Sequence, residues 1–182
     1  MNTGLIIIDV QNDYFAGGAM ELVSMDVAAS NCGRLLASFR ADTMPLFHIQ
    51  HIATREGATF FVADTPGCEI NDSVKPQPDE PLVVKHYPNA FRDTDLHEML
   101  QQAGVGKLVI CGAMSHMCID TTTRAAFDLG YQCQVVADAC ATRDLEFEGQ
   151  RVRAADVQAA FMAALGMPFA KISSTDQVLA TR

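Results

Sequence analysis

The chain has 182 residues, 49% of them hydrophobic and 19% charged, with a formal net charge of −9. That length fits one domain, 1–182, with a full core. The acidic balance argues against nucleic acid or an anionic membrane as partner, because both would be repelled by most of the surface. The opening residues carry no basic segment and their apolar run breaks at Asp9, so they read neither as a signal peptide nor as a membrane span. Cys32, Cys68, Cys111, Cys118, Cys133 and Cys140, without a secretory signal, point to reduced thiols in a cytoplasmic protein, and the absence of a CxxC pair argues against a structural zinc ribbon.

Gly4 to Val10 is a nearly continuous aliphatic run, the pattern of a parallel strand buried on both faces. Asp9 lies at its end. In open α/β sheets the functional crevice lies beyond the carboxyl ends of the strands, which makes Asp9 a candidate catalytic group; the plainer role is a loop cap. Gln11 to Gly18 forms a loop in which Tyr14 and Phe15 are pocket walls or core. Asp26 is the expected N-cap of a helix through Val27, Ala28, Leu35, Leu36 and Phe39. Pro45 to His51 reads as the second strand. Its two histidines, His48 and His51, suggest a metal, but three apart on an extended strand they face opposite ways. No metal is therefore expected, and His51 is assigned a polar, pocket-lining role.

Residues 53–81 show no sustained period and hold Gly57, Pro66, Gly67, Pro76, Pro78 and Pro81, as in a lid or binding loop. Phe60 and Phe61 are its expected contributions to a pocket or a subunit contact. Leu82 to His86 is the third strand, taken as an inner one. A lysine buried at its end needs an anion nearby, and Asp9 is the natural partner for Lys85. After a turn through Tyr87 to Phe91, Thr94 or Asp95 opens a helix through Leu96, Met99 and Leu100.

Leu108 to Cys111 is a short buried strand. From Cys118 onward Ile119, Thr122, Ala125, Ala126 and Leu129 recur at helical spacing, and Gly130 stops the helix. Cys118 thus falls at a strand-to-helix junction. Unpaired N–H groups and the helix dipole there favour a thiolate, and the same N–H groups suit an oxyanion. The alternative is a small buried hydrophobe, the usual fate of a free cysteine. Tyr131 to Ala137 is the next strand, followed by a loop at Asp138 to Asp144. Gln150 to Leu165 reads as one long helix stopped by Gly166-Met167-Pro168. Its apolar stretch from Val157 suits either core or a subunit contact. A last strand, Ala170 to Ser173, precedes a final helical turn from Ser174 or Thr175. Strands and helices alternate throughout, so the fold class is α/β: three layers, α/β/α, around a parallel sheet of about six strands.

Asp9, Lys85 and Cys118 thus gather at strand ends or at the start of a helix. The segments IIIDVQNDYF, VVKHYPNAF, CGAMSHMCIDTTTRAAFDLGY and VVADACAT together resemble the isochorismatase-like cysteine hydrolase superfamily, which includes nicotinamidases, N-carbamoylsarcosine amidohydrolase, biuret hydrolase and streptothricin hydrolase. The resemblance covers essentially the whole chain and implies a Rossmann-like isochorismatase fold. It places a catalytic Asp-Lys-Cys triad on Asp9, Lys85 and Cys118. It also implies a cis peptide at Ala113-Met114 and an oxyanion hole made by the Met114 and Cys118 N–H groups. The nicotinamidase Asp-x-His metal motif is replaced here by His51-Ile52-Ala53, so no metal and no other cofactor is implied.

The expected activity is hydrolysis of a C–N bond in a small amide, lactam or carbamoyl compound through a thioester. Phe15, His51, Phe61, Phe91 and Met117 shape the expected pocket, and a homo-oligomer, dimer or tetramer, is implied by the resemblance. The alternatives are a vinyl ether hydrolase of the isochorismate type, in which Cys118 is dispensable, and a non-catalytic or redox-sensing oligomer with a reactive thiol.

Overall fold

The computed structural model describes residues 1–181. The chain runs through β1 (Asn2–Ile8), α1 (Met25–Ala41), β2 (Leu46–His51), β3 (Leu82–Lys85), α2 (Leu96–Gln102), β4 (Val105–Ala113) and α3 (Asp120–Asp128). It continues through β5 (Gln132–Ala141), β6 (Leu145–Phe147), β7 (Gln150–Val152), α4 (Ala154–Leu165), β8 (Ala170–Ser173) and α5 (Thr175–Leu179). Six strands form one sheet in the order β3-β2-β1-β4-β5-β8, and each neighbouring pair is parallel.

Alternation along β1 explains the two cores. Leu5 and Ile7 pack on one face with Leu35, Leu36 and Phe39 of α1 and Val109 and Cys111 of β4. Ile6 and Ile8 pack on the other with Leu96 and Leu100 of α2, Ala126 of α3, and Met162 and Leu165 of α4. Burying each large aliphatic or aromatic side chain contributes about 1.5–3 kcal/mol, so a strand covered on both sides is held mainly by these contacts. The apolar face of α4 is accordingly core, with Val157 and Leu165 at 3% and 0% exposure. Gly112 (φ 120°) lets β4 lie close on β1, where a Cβ would stand 2.0 Å from the Ile8 carbonyl oxygen. The β4–β5 register shifts at this point, between Ile110 and Gly112.

Four expectations need correction. The helix after the first loop is preceded by Ser24, whose backbone is left-handed (φ 56°), and Asp26 lies inside its first turn, where it faces the helix dipole and is not the cap. The strand bearing Lys85 is an edge strand, with Leu82 and Val84 exposed and only Val83 and Lys85 turned inward. Residues 150–152 are not helical. They form β7, antiparallel to β6, across Glu148 (φ 50°) and Gly149 (φ 77°). Two consecutive positive φ angles make the tight hairpin turn that matches strand twist. The last helix of this region therefore begins at Ala154, whose N–H donates to Asp144 Oδ1 at 2.7 Å. The helix expected from Cys118 begins at Asp120, and the cysteine sits in the turn before it.

Candidate active site

Asp9 follows β1 directly. Alternation alone would send its side chain after Leu5 and Ile7 to the α1 face. A left-handed backbone at Asp9 (φ 51°) ends that alternation, a conformation that aspartate tolerates better than most residues. Lys85 is the last residue of β3 and pairs in register with His51 at the end of β2. Cys118 lies in the wide turn Ser115–Ile119. There the Met114 carbonyl accepts from Met117 N at 3.0 Å and from Ile119 N at 3.1 Å. Ser115 Oγ donates its one proton to Gln158 Oε1 at 2.5 Å and lies 3.1 Å from Ala141 O, which ties the turn to α4 and sets it beside β5.

These elements converge on the Lys85 ammonium. Its Nζ lies 2.7 Å from Asp9 Oδ2, 2.9 Å from His51 Nδ1 and 3.3 Å from Cys118 Sγ. An ammonium has three N–H donors, and each has one acceptor here. Asp9 and Lys85 are both at 0% exposure and Cys118 at 4%. Asp9 Oδ1 is buried without a hydrogen-bond partner. The Ala113-Met114 peptide is cis, and the Met114 N–H has no acceptor among the described residues.

The electrostatics revise the thiolate expected from helix position. Burial pushes the Cys118 thiol well above its ordinary range, the Asp9 carboxylate adds to this, and Lys85 pulls the other way without offsetting them. The cysteine therefore rests as a thiol and needs a base. Burial lowers the Lys85 pKa, but Asp9 and then Cys118 outweigh it and hold the ammonium protonated. Burial, followed by the Lys85 charge, takes His51 down to about 4, so its ring is neutral near pH 7.

Asp9, His51 and Cys118 each offer a ligand atom, all within 4.8 Å of one another. That donor set alone would suit a soft or borderline cation. The Lys85 ammonium already donates to all three, however, so the cluster is built around an internal cation. His48 belongs to another group on the opposite face, where its Nε2 meets Glu80 Oε2 at 2.9 Å, as the spacing of the two histidines implied.

The expected pocket residues divide. Phe61 is buried, with its ring 5.7 Å from His51 and 4.6 Å from Tyr14. Phe15 is partly buried against the same cluster, and Met117 is exposed one residue before the nucleophile candidate. Phe91 is not brought to this group. It stacks on Tyr131 at 6.1 Å and meets the edge of His97 at 6.5 Å.

Sequence reasoning passed over the polar run after β1, which anchors residues 53–81. Gln11 Nε2 donates to Cys68 O at 2.7 Å and to His51 O at 2.9 Å, while Gln11 Oε1 accepts from His51 N at 2.8 Å. Asn12 Nδ2 reaches Pro66 O at 2.9 Å, and Asp13 Oδ2 accepts from Phe61 N at 2.6 Å. The available signal was three consecutive polar residues, each able to bond backbone, opposite a long loop needing partners. Arg143 was also missed. It is exposed, makes no ion pair among the described residues, and its charge is felt at the Tyr14 phenol and the His116 ring.

A parallel α/β sheet with a buried acid, ammonium and thiol at its carboxyl edge defines an α/β cysteine hydrolase architecture. The isochorismatase domain model matches residues 3–177, and the chain belongs to the isochorismatase family of hydrolases. It is 50% identical over 179 residues to the isochorismatase family protein YddQ of Bacillus subtilis strain 168, covering 98% of this chain and 99% of that protein. A crystal structure of an isochorismatase hydrolase from Oleispira antarctica superposes with a TM-score of 0.95 at 49% identity, covering 98% of this chain and 96% of that one. Streptothricin hydrolase of Streptomyces noursei is 35% identical over 143 residues, 78% of this chain but 50% of the relative. The six-stranded sheet is thus an isochorismatase fold, as the sequence motifs implied.

Proposed function

We propose that this hydrolase is a metal-independent cysteine amidohydrolase, which cleaves the C–N bond of a small amide, lactam or carbamoyl compound through a thioester on Cys118. One observation carries the reading. The Lys85 ammonium bridges Asp9 Oδ2 and Cys118 Sγ, while Asp9 Oδ1, buried beside them, has no donor. A carboxylate oxygen without a donor next to a thiol held protonated is placed to take that proton.

In the proposed sequence Asp9 takes the Cys118 proton and sulfur attacks the carbonyl carbon. The tetrahedral oxyanion is held by the Met114 and Cys118 N–H groups. Asp9 returns the proton to the leaving nitrogen, and the C–N bond breaks to release ammonia or an amine. Water, losing a proton to Asp9, then attacks the thioester. The carboxylic acid leaves, and the Cys118 thiolate recovers its proton from Asp9. Throughout, Lys85 stabilises whichever of sulfur and carboxylate carries the negative charge.

Phe15, His51, Phe61 and Met117 line the proposed pocket, and Arg143 adds positive charge at its edge. A redox-sensing role fits less well, because a sensor cysteine needs exposure and thiolate character, whereas Cys118 is buried and its thiol is pushed up. The six free cysteines suit a reducing, cytoplasmic setting. Among the described residues no helix is long and apolar enough to cross a membrane. A homo-oligomer, dimer or tetramer, completes the reading, and exposed Val23, Val27, Phe147 and Val152 supply apolar surface for it.

The test is ammonia release from a panel of biuret, carbamoyl amino acids, lactams, simple amides and nicotinamide, with and without a chelator. At least one compound is expected to turn over at a rate unchanged by chelation. Activity that disappears on chelation and returns with zinc would overturn the metal-independent mechanism.

A further inference from the structure

Met114 lies between two anchors. Before it, Ala113 ends β4 in register with Ala141 of β5. After it comes Ser115, at 0% exposure, whose Oγ lies 2.5 Å from Gln158 Oε1 on α4 and 3.1 Å from the Ala141 carbonyl. The Gln158 amide decides where the one Ser115 proton goes. Its other end lies 2.9 Å from the Ala137 carbonyl, which can only accept, so that end is the NH2 and the oxygen faces Ser115. Ser115 therefore donates to Gln158, and the Ala141 carbonyl stands beside it as a second acceptor that the hydroxyl does not use. Among the described residues this is the one hydrogen bond from α4 to the turn that carries Cys118. The Phe161 ring adds an apolar contact to the His116 ring at 6.0 Å, and Val157 and Leu165 seat the helix in the core.

We propose that Gln158 is a positioning residue for the oxyanion hole, holding the Met114 N–H on the developing oxyanion through the bond it accepts from Ser115. This rests on the acyl-transfer mechanism of the proposed function, and it adds a residue from a helix that supplies none of the reacting groups. The Met114 N–H has no acceptor among the described residues, so only the chain on either side aims it. Loss of the Gln158 oxygen lets the Ser115 hydroxyl turn to Ala141, which ties the turn to β5 instead and leaves no buried hydroxyl unpaired. Ala137 is partly exposed, and water takes the place of the Gln158 N–H there. The cost therefore falls on the aim of the donor and little on stability, the reverse of a bond that serves the fold alone. An oxyanion contact strengthens only as the carbonyl becomes tetrahedral, so the loss appears in kcat and hardly in KM.

Gln158→Met keeps the length of the side chain without its polar ends, and Ser115→Ala removes the donor. Two probes of Cys118 are applied to each variant, to the double variant and to the native protein, with Cys118→Ala as background. 4-Nitrophenyl acetate acylates the sulfur through a tetrahedral oxyanion and releases 4-nitrophenolate. Iodoacetamide alkylates the same sulfur by direct displacement of iodide, with no oxyanion. Acylation is expected to slow about tenfold in both single variants and no further in the double variant, because either change removes the same bond. Iodoacetamide should react at close to the native rate throughout, and Gln158→Met should unfold at close to the native urea concentration. On the amide that the native enzyme hydrolyses, kcat should fall by a similar factor with KM changed by less than about twofold. Acylation of Gln158→Met at the native rate, or a loss matched by iodoacetamide, would overturn the proposal. If acylation slows selectively while the native protein hydrolyses no amide of the panel, the positioning role stands and the amidohydrolase reading fails.

Discussion

Replacing Cys118 with alanine is expected to lower turnover by about 10⁴-fold or more, because the covalent path is lost while the oxyanion donors and the pocket remain. Cys118→Ser is expected to fare little better. A hydroxyl is a weaker acid than a thiol, and burial with Asp9 alongside already pushes the native thiol well up. Both variants keep Asp9 paired with Lys85, so urea unfolding should show near-native stability. The measurement is kcat/KM on whichever amide the native enzyme hydrolyses. A Cys118→Ala protein retaining more than a tenth of native activity would remove sulfur from the mechanism and favour direct attack by water, as the vinyl ether alternative requires.

The second large effect concerns stability. Lys85→Met leaves the Asp9 carboxylate at 0% exposure without its cation. Breaking a buried pair by removing one partner costs about 3–5 kcal/mol, since the surviving charge is still desolvated. The double variant Asp9→Asn/Lys85→Met removes both charges, and asparagine tolerates the left-handed backbone at this position. It is expected to be about 2 kcal/mol more stable than Lys85→Met alone, a non-additivity that only contacting residues show. Neither variant should turn over substrate. If Lys85→Met unfolds at the native urea concentration, the two charges are not the buried, interdependent pair described above.

Much of this arrangement was legible in the chain. The aliphatic runs Leu5–Ile8 of β1 and Leu108–Cys111 of β4 have no polar alternation because helices cover both faces, and that property pointed to a parallel sheet before its strand order was known. Asp9, Lys85 and Cys118 were recognisable because each interrupts or follows an apolar run with a group that is costly to bury. What stayed hidden depended on contacts between distant residues. β3 reads as an inner strand because Leu82, Val83 and Val84 are all apolar, yet only sheet order reveals its open edge. The β6–β7 hairpin is three residues a side, too short for a period, and its turn begins with glutamate, an unusual residue at positive φ. The thiol's state was misread because the helix dipole is a local feature of sequence, whereas desolvation and the approach of Asp9 are products of the fold. Phe91 followed a motif that did carry the lysine, but the turn at Ala90, whose N–H donates to Thr122 Oγ1 at 3.0 Å, sends its ring to Tyr131.

The central claim is a thioester on Cys118, and interception by hydroxylamine tests it most directly. With the active amide at saturation, rising hydroxylamine should convert the product from acid to hydroxamate in the native enzyme and yield none with Cys118→Ala. Acid formed at an undiminished rate, with no hydroxamate at saturating hydroxylamine, would contradict an acyl-enzyme and with it the role assigned to Cys118.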